Sequence, residues 1–185
     1  FDCWTETMHL ASNSTTVFIL SSCLSIEEGS SESVSWLHAF DSSTWLPRCP
    51  PARLPGRSLP VESNVLVPSG DVGVWAVTRV PGTDFAYMTL VALETGPPPL
   101  QTARAIKRAQ QVLSGVDNRI LAAASPHGND LIVAVGKRLE IWRNGERSAS
   151  PVFFEESAQI LKWLPEGLFL GESGRLHLLD EITGN

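Results

Sequence analysis

One short pattern recurs four times along this chain, and it constrains the fold more than any other feature. A leucine is followed by two residues, a large apolar residue and, in three copies, an acid. The copies are Leu37-His38-Ala39-Phe40-Asp41, Leu90-Val91-Ala92-Leu93-Glu94, Leu139-Glu140-Ile141-Trp142-Arg143 and Leu176-His177-Leu178-Leu179-Asp180. Their starts lie 53, 49 and 37 residues apart. A turn pair follows three of them: Thr95-Gly96, Asn144-Gly145 and Thr183-Gly184. The first copy continues instead with Ser42-Ser43-Thr44.

Upstream of each copy, two short apolar runs flank a polar or glycine-bearing turn. The turns are Ser12-Asn13-Ser14, Pro68-Ser69-Gly70-Asp71, Ser125-Pro126-His127-Gly128-Asn129-Asp130 and Pro165-Glu166-Gly167. Gly, Asn and Asp adopt the tight or left-handed conformations that reverse a chain between strands. The runs are short and rich in Val, Ile, Leu, Phe and Trp, a length and composition that suit strands. Each unit therefore reads strand, turn, strand, turn, strand. A lone sheet of this size cannot bury both faces, whereas successive sheets stacked around an axis cover one another.

The stretch Leu139-Glu140-Ile141-Trp142-Arg143-Asn144-Gly145 resembles the strand that ends a blade of the WD-repeat β-propeller family. Residues 176–184 resemble the same strand, and Ser125-Pro126-His127-Gly128 resembles the turn between the family's inner strands. The chain departs from the family where Arg143 replaces the usual acid; it contains no Trp-Asp and no Gly-His dipeptide. The resemblance implies an all-β, propeller-like fold of about four antiparallel blades, near 1–45, 61–96, 115–147 and 150–185, forming part of a larger propeller. It further implies a non-catalytic scaffold that holds other protein subunits. Trp45 with Pro50-Pro51-Ala52-Arg53 gives a rival, kelch-like reading, and a β-sandwich or split barrel is the plainer all-β alternative.

Three segments interrupt the pattern. Residues 46–60 carry five prolines and Arg48, Arg53 and Arg57, and read as a long loop, because proline lacks the ladder donor. Residues 25–35 are acidic and serine-rich and read as a solvated hairpin loop. Residues 97–114 read as an insertion or connector. Within it, Ala105, Ala109, Val112 and Leu113 outline the stripe of a short helix near 100–113, with a strand of the third unit as the alternative. Loops on a rigid frame carry binding, so Trp36, Trp45, Arg48, Arg53, Arg57, Arg104, Lys107 and Arg108 are the candidate partner contacts.

The composition narrows the function classes. Of 185 residues 43% are hydrophobic and 18% charged, enough to build a core. The formal net charge of −6, with one short basic cluster at Arg104, Lys107 and Arg108, argues against direct nucleic-acid binding. Cys3, Cys23 and Cys49 lack metal-site spacing and suggest reduced thiols in a cytoplasmic or nuclear protein, one disulfide plus a free thiol being the alternative. No apolar run is long enough to span a bilayer as a helix. Phe1 at the start and Ile182-Thr183-Gly184-Asn185 at the end suggest a piece of a longer polypeptide, whose unseen chain, or a partner, completes the blades. Asn13-Ser14-Thr15 matches a glycosylation sequon.

No G-x-S-x-G elbow and no phosphate-cradling loop with a following lysine is present. No metal or cofactor is expected, and His38 and His177, at one repeat position, suit a structural role. A small-molecule or glycan-binding domain is the second reading. A propeller hydrolase built on Asp41, Asp180, His38 and His177 is the third.

Overall fold

The computed structural model describes residues 3–27, 30–58, 65–69, 73–80, 82–95, 103–113, 120–124, 130–143, 146–147, 150–164 and 167–179. These residues form four antiparallel sheets and contain no helix. The first sheet is a meander of β1 (Cys3–Ser12), β2 (Thr16–Glu27), β3 (Ser30–Asp41) and β4 (Ala52–Leu54). The second is β6 (Leu66–Ser69), β7 (Gly73–Arg79), β8 (Ala86–Thr95) and β9 (Ala103–Leu113), with β5 (Arg57–Ser58) paired to the far end of β7. The third is β10 (Ile120–Ala124), β11 (Leu131–Val135) and β12 (Arg138–Arg143), whose outer edge pairs with β13 (Glu146–Arg147) and β14 (Val152–Phe153). The fourth is β15 (Ile160–Leu164), β16 (Gly167–Glu172) and β17 (Arg175–Leu179).

Three expectations change. The short helix near 100–113 is absent: Ala103–Leu113 is a strand, and it belongs to the second sheet rather than the third. The helical stripe was weak, while β8 offers a whole edge of backbone donors and acceptors that need partners. The pairing passes from Val91↔Lys107 to Leu90↔Ala109, which leaves Arg108 as a bulge. Such an extra residue displaces the two-residue period and imitates helical spacing. The 25–35 segment is mainly strand, with β2 and β3 paired out to Glu27↔Ser30. The 46–60 segment is not all loop, since it supplies β4 and β5. Pro51 and Pro55 flank β4 and limit it to a few residues, as expected of a residue without a ladder donor. The turns at 70–72, 125–129 and 165–166, the Thr95-Gly96 glycine, Asn144-Gly145, and 180–185 lie outside the described residues.

The first strands of successive sheets are neighbours: β1 lies beside β6, β6 beside β10, and β10 beside β15. Side chains then alternate between two cores. Ile120, Ala122, Leu131 and Val133 join the cluster shared with the first and second sheets, around Phe18, Leu20, Trp75 and Met88. Their strand neighbours Leu121, Ala123, Ile132 and Ala134 join the cluster shared with Leu161, Leu168 and Leu170 of the fourth sheet. The third sheet is thus covered on both faces. The second is too, since β7 is buried from Gly73 through Thr78.

Around the joint between the first and second sheets, several polar groups are matched. Ser35 Oγ lies 2.6 Å from Ser22 Oγ and donates to the Gly56 carbonyl at 2.9 Å. Thr78 Oγ1 donates to the Pro55 carbonyl at 2.5 Å. Gly56 has φ +73°, and a Cβ there would stand 2.3 Å from the Arg79 carbonyl oxygen, so only glycine fits this bend. Glu140, buried in β12, pairs with Arg138 Nε at 2.8 Å, which keeps its charge compensated.

Candidate interaction surfaces

The two terminal sheets differ from the inner pair. In the first sheet Phe18, Leu20, Leu37 and Ala39 face inward. Their alternating neighbours, with Met8 and Leu10 of β1, make an outer face of Met8, Leu10, Ile19, Trp36 and Phe40, where Leu10 is 63% exposed. In the fourth sheet Leu161, Leu168 and Leu170 face inward. The outer face there carries Ile160, Phe169, Leu176 and Leu178, with Leu176 65% exposed. Gly171 lies opposite both Ile160 and Leu176, and its missing Cβ leaves room for Ile160 to lie across it. Each end of the stack therefore presents a largely apolar sheet face, interrupted by Ser21 and His38 at one end and by Lys162, opposite Phe169, at the other, where a free-standing antiparallel sheet normally alternates apolar and polar.

A second surface is the turn between β3 and β4. Asp41 Oδ1 accepts four hydrogen bonds, from Ser43 N (3.0 Å), Ser43 Oγ (2.6 Å), Thr44 N (2.9 Å) and Thr44 Oγ1 (3.0 Å). The Ser43 hydroxyl and then the Thr44 amide hold this carboxyl well below the usual carboxylate range. Trp45 N donates to the Asp41 carbonyl and Asp41 N to the Leu46 carbonyl, both at 2.9 Å. This closure puts Trp45 at φ +58°, and no other non-glycine among the described residues has positive φ. A left-handed conformation costs an L-residue about 1–2 kcal/mol. Even so, Trp45 and Leu46 are 58% and 66% exposed.

The eight residues expected to contact partners do not converge. Trp36 is half-buried on the outer face of the first sheet, opposite Arg53 of β4. Arg48 turns back on the preceding hairpin and donates from Nη1 to Thr16 Oγ1 at 2.6 Å, so it braces the first sheet. Arg57 pairs opposite Arg79 in the second sheet. On β9, Arg104 stands opposite Glu94, Lys107 opposite Val91, and Arg108 is the bulged residue. Sequence reasoning missed the two end faces. Their only sequence signal is that β15 to β17 carry apolar residues at both parities.

The titratable groups sit in separate places. His38 Nε2 lies 3.4 Å from Ser21 Oγ, its ring stacks on Phe40, and burial lowers its pKa. His177 Nε2 lies 2.9 Å from Glu172 Oε1, and the Glu156 amide donates to Glu172 Oε2 at 3.3 Å. Burial raises the Glu172 carboxyl, but the His177 hydrogen bond, the Glu156 amide and the His177 and Arg175 charges outweigh it and leave the pKa lowered. The two histidines therefore make different local contacts at their shared repeat position. Among the described residues, no group of three His, Cys, Asp or Glu side chains is arranged to hold a metal ion. Cys49 is buried in the core shared by the first and second sheets. Asn13 Oδ1 accepts from the Thr15 and Thr16 amides at 3.0 and 2.8 Å, which closes the first hairpin. Arg143 Nε pairs with Asp130 Oδ2 at 3.2 Å, joining the end of β12 to the entry of β11.

The long apolar helix needed to cross a membrane is absent from the described residues. No protein-family model matches this chain, and no curated protein matches it in sequence.

Proposed function

We propose that this chain is a segment of a WD-repeat-like β-propeller that serves as a non-catalytic platform for other protein subunits. The four sheets are four successive blades, and further sheets, from adjoining chain or from a partner, cover the two ends. The observation that carries this reading is the contrast between inner and terminal sheets. The second and third sheets are buried on both faces, while the first and fourth expose Leu10 and Leu176 on apolar outer faces. The ordered neighbouring of β1, β6, β10 and β15 supports a shared axis. β1 and β15 are not among the closely neighbouring strands of the described residues, which favours an open ring of four blades.

The test is to purify the full-length protein from its native cells and identify by mass spectrometry what remains bound at moderate salt. Leu10→Asp and Leu176→Asp are purified in parallel. Stoichiometric partners, or intramolecular contacts made by flanking chain, are expected at one or both end faces, and the matching variant loses them. A monomer in which cross-linking finds both faces open to water refutes the platform.

A further inference from the structure

The first and fourth repeats share their register beyond the pattern that defines them. Leu37-His38-Ala39-Phe40-Asp41-Ser42-Ser43-Thr44-Trp45 matches Leu176-His177-Leu178-Leu179-Asp180-Glu181-Ile182-Thr183-Gly184 at Leu, His, Asp and Thr. The ninth position is glycine in one and tryptophan in the other. Glycine is the residue that a left-handed turn position favours, and Trp45 occupies that position at φ +58°. Folding therefore gains less from the indole here than from a buried one. The backbone is strained by it, and more than half of its surface stays in water beside the equally open Leu46. Strain of this kind collects at binding sites, where surrounding structure holds it in place.

The surroundings do hold it. Four hydrogen bonds to Asp41 Oδ1 and the paired Asp41 and Trp45 backbone bonds close the turn. The Phe40↔Pro47 bridge and the Arg48 amide bonded to the Ala39 carbonyl tie its far side to β3. Arg48 Nη1 ties it to Thr16. A tip already fixed in this way loses little freedom on binding, and tryptophan is among the side chains enriched at the hot spots of protein interfaces. We infer that the Trp45–Leu46 tip is a preorganised anchor that inserts into an apolar pocket of a protein partner, with an acceptor in that pocket for the indole N–H. A lipid surface fits less well. The chain carries a net charge of −6, and the cation nearest in sequence, Arg48, is turned away onto Thr16. This inference rests on the platform reading and names the contact through which one partner is held.

The test places p-benzoylphenylalanine at position 46, and separately at the exposed control position 153, in the full-length protein in its native cells. Any partner cross-linked is then purified and titrated against wild-type protein and Trp45→Gly, whose thermal midpoints are also measured. The expected result has three parts: an adduct from position 46 but not 153, affinity lowered at least 100-fold in Trp45→Gly, and a Trp45→Gly midpoint equal to or above wild type. Equal adducts at both positions, unchanged affinity in Trp45→Gly, or a lowered midpoint each overturn the anchor. The platform reading survives those results if other stoichiometric partners remain bound, and falls with the anchor if none do. Binding of wild type, but not Trp45→Gly, to phosphatidylserine–phosphatidylcholine vesicles would assign the tip to a membrane and also overturn the inference.

Discussion

Leu131 and Ile132 are adjacent on β11 and point into different cores, so truncating each in turn tests the stacking directly. Leu131 is fully buried in the cluster with the second sheet, opposite Ala124 and Trp142. Ile132 is buried in the cluster with the fourth sheet, opposite Ala123 and Ile141. Burying such a side chain stabilises by about 1.5–3 kcal/mol, and the cavity left by truncation adds to the loss. Leu131→Ala and Ile132→Ala are each expected to cost about 3 kcal/mol. At about 2–4 °C per kcal/mol for a chain of this size, each lowers the thermal midpoint by roughly 6–12 °C. Urea unfolding followed by circular dichroism should show a lower midpoint with an unchanged slope. Leu10→Ala and Leu176→Ala, on the uncovered faces, should stay within about 0.5 kcal/mol of wild type in the isolated chain. If either Leu131→Ala or Ile132→Ala is equally silent, β11 is open to water on that side and the third sheet is not buried on both faces.

Other substitutions test other parts of the structure. Gly56→Ala, whose Cβ would meet the Arg79 carbonyl, should cost at least ~1–3 kcal/mol and disturb the joint between the first and second sheets; an unchanged melting curve would contradict that close approach. Thr89 Oγ1 is buried in β8 with no partner among the described residues, so Thr89→Val should stabilise by about 1 kcal/mol, and a loss in calorimetry would mean that the hydroxyl is bonded. The Glu172 carboxyl has a folded pKa below its ordinary value, so its contribution is complete above about pH 4.5 and fades as acid titrates it through the lowered folded value. Stability measured against pH should lose part of its acid limb in Glu172→Gln, and an identical profile would remove the His177–Glu172 pair from the acid response.

The repeat reached the level of sheets and no further by itself. Short apolar runs bounded by Gly, Asn and Pro are local signals, because chain reversal is decided within a few residues. That is why the hairpin Ala11 to Val17 and the antiparallel pairing of β15 with β16 were legible. Trp75 and Trp142, embedded in apolar strands, are buried, whereas Trp163, embedded in the same way, is only partly buried. Arg48 was legible only as a charge in a proline-rich segment. Its role as a brace depends on Thr16, which lies far from it in sequence and beside it in space.

The sequence alone determined the class of this protein: all-β, built in four units of antiparallel strands, because alternation and turn chemistry act over a few residues. Tertiary structure decided the rest. It sent 103–113 to the free edge of β8 instead of into a helix, because an unpaired edge outweighs a weak local preference. It determined which of two apolar faces is covered, since Ile132 and Leu176 look alike in sequence and differ only in whether another sheet lies against them. It also set Trp45 in a left-handed turn and left more than half of it in water, a placement that hydrogen bonds to Asp41 enforce and that no propensity of tryptophan foretells.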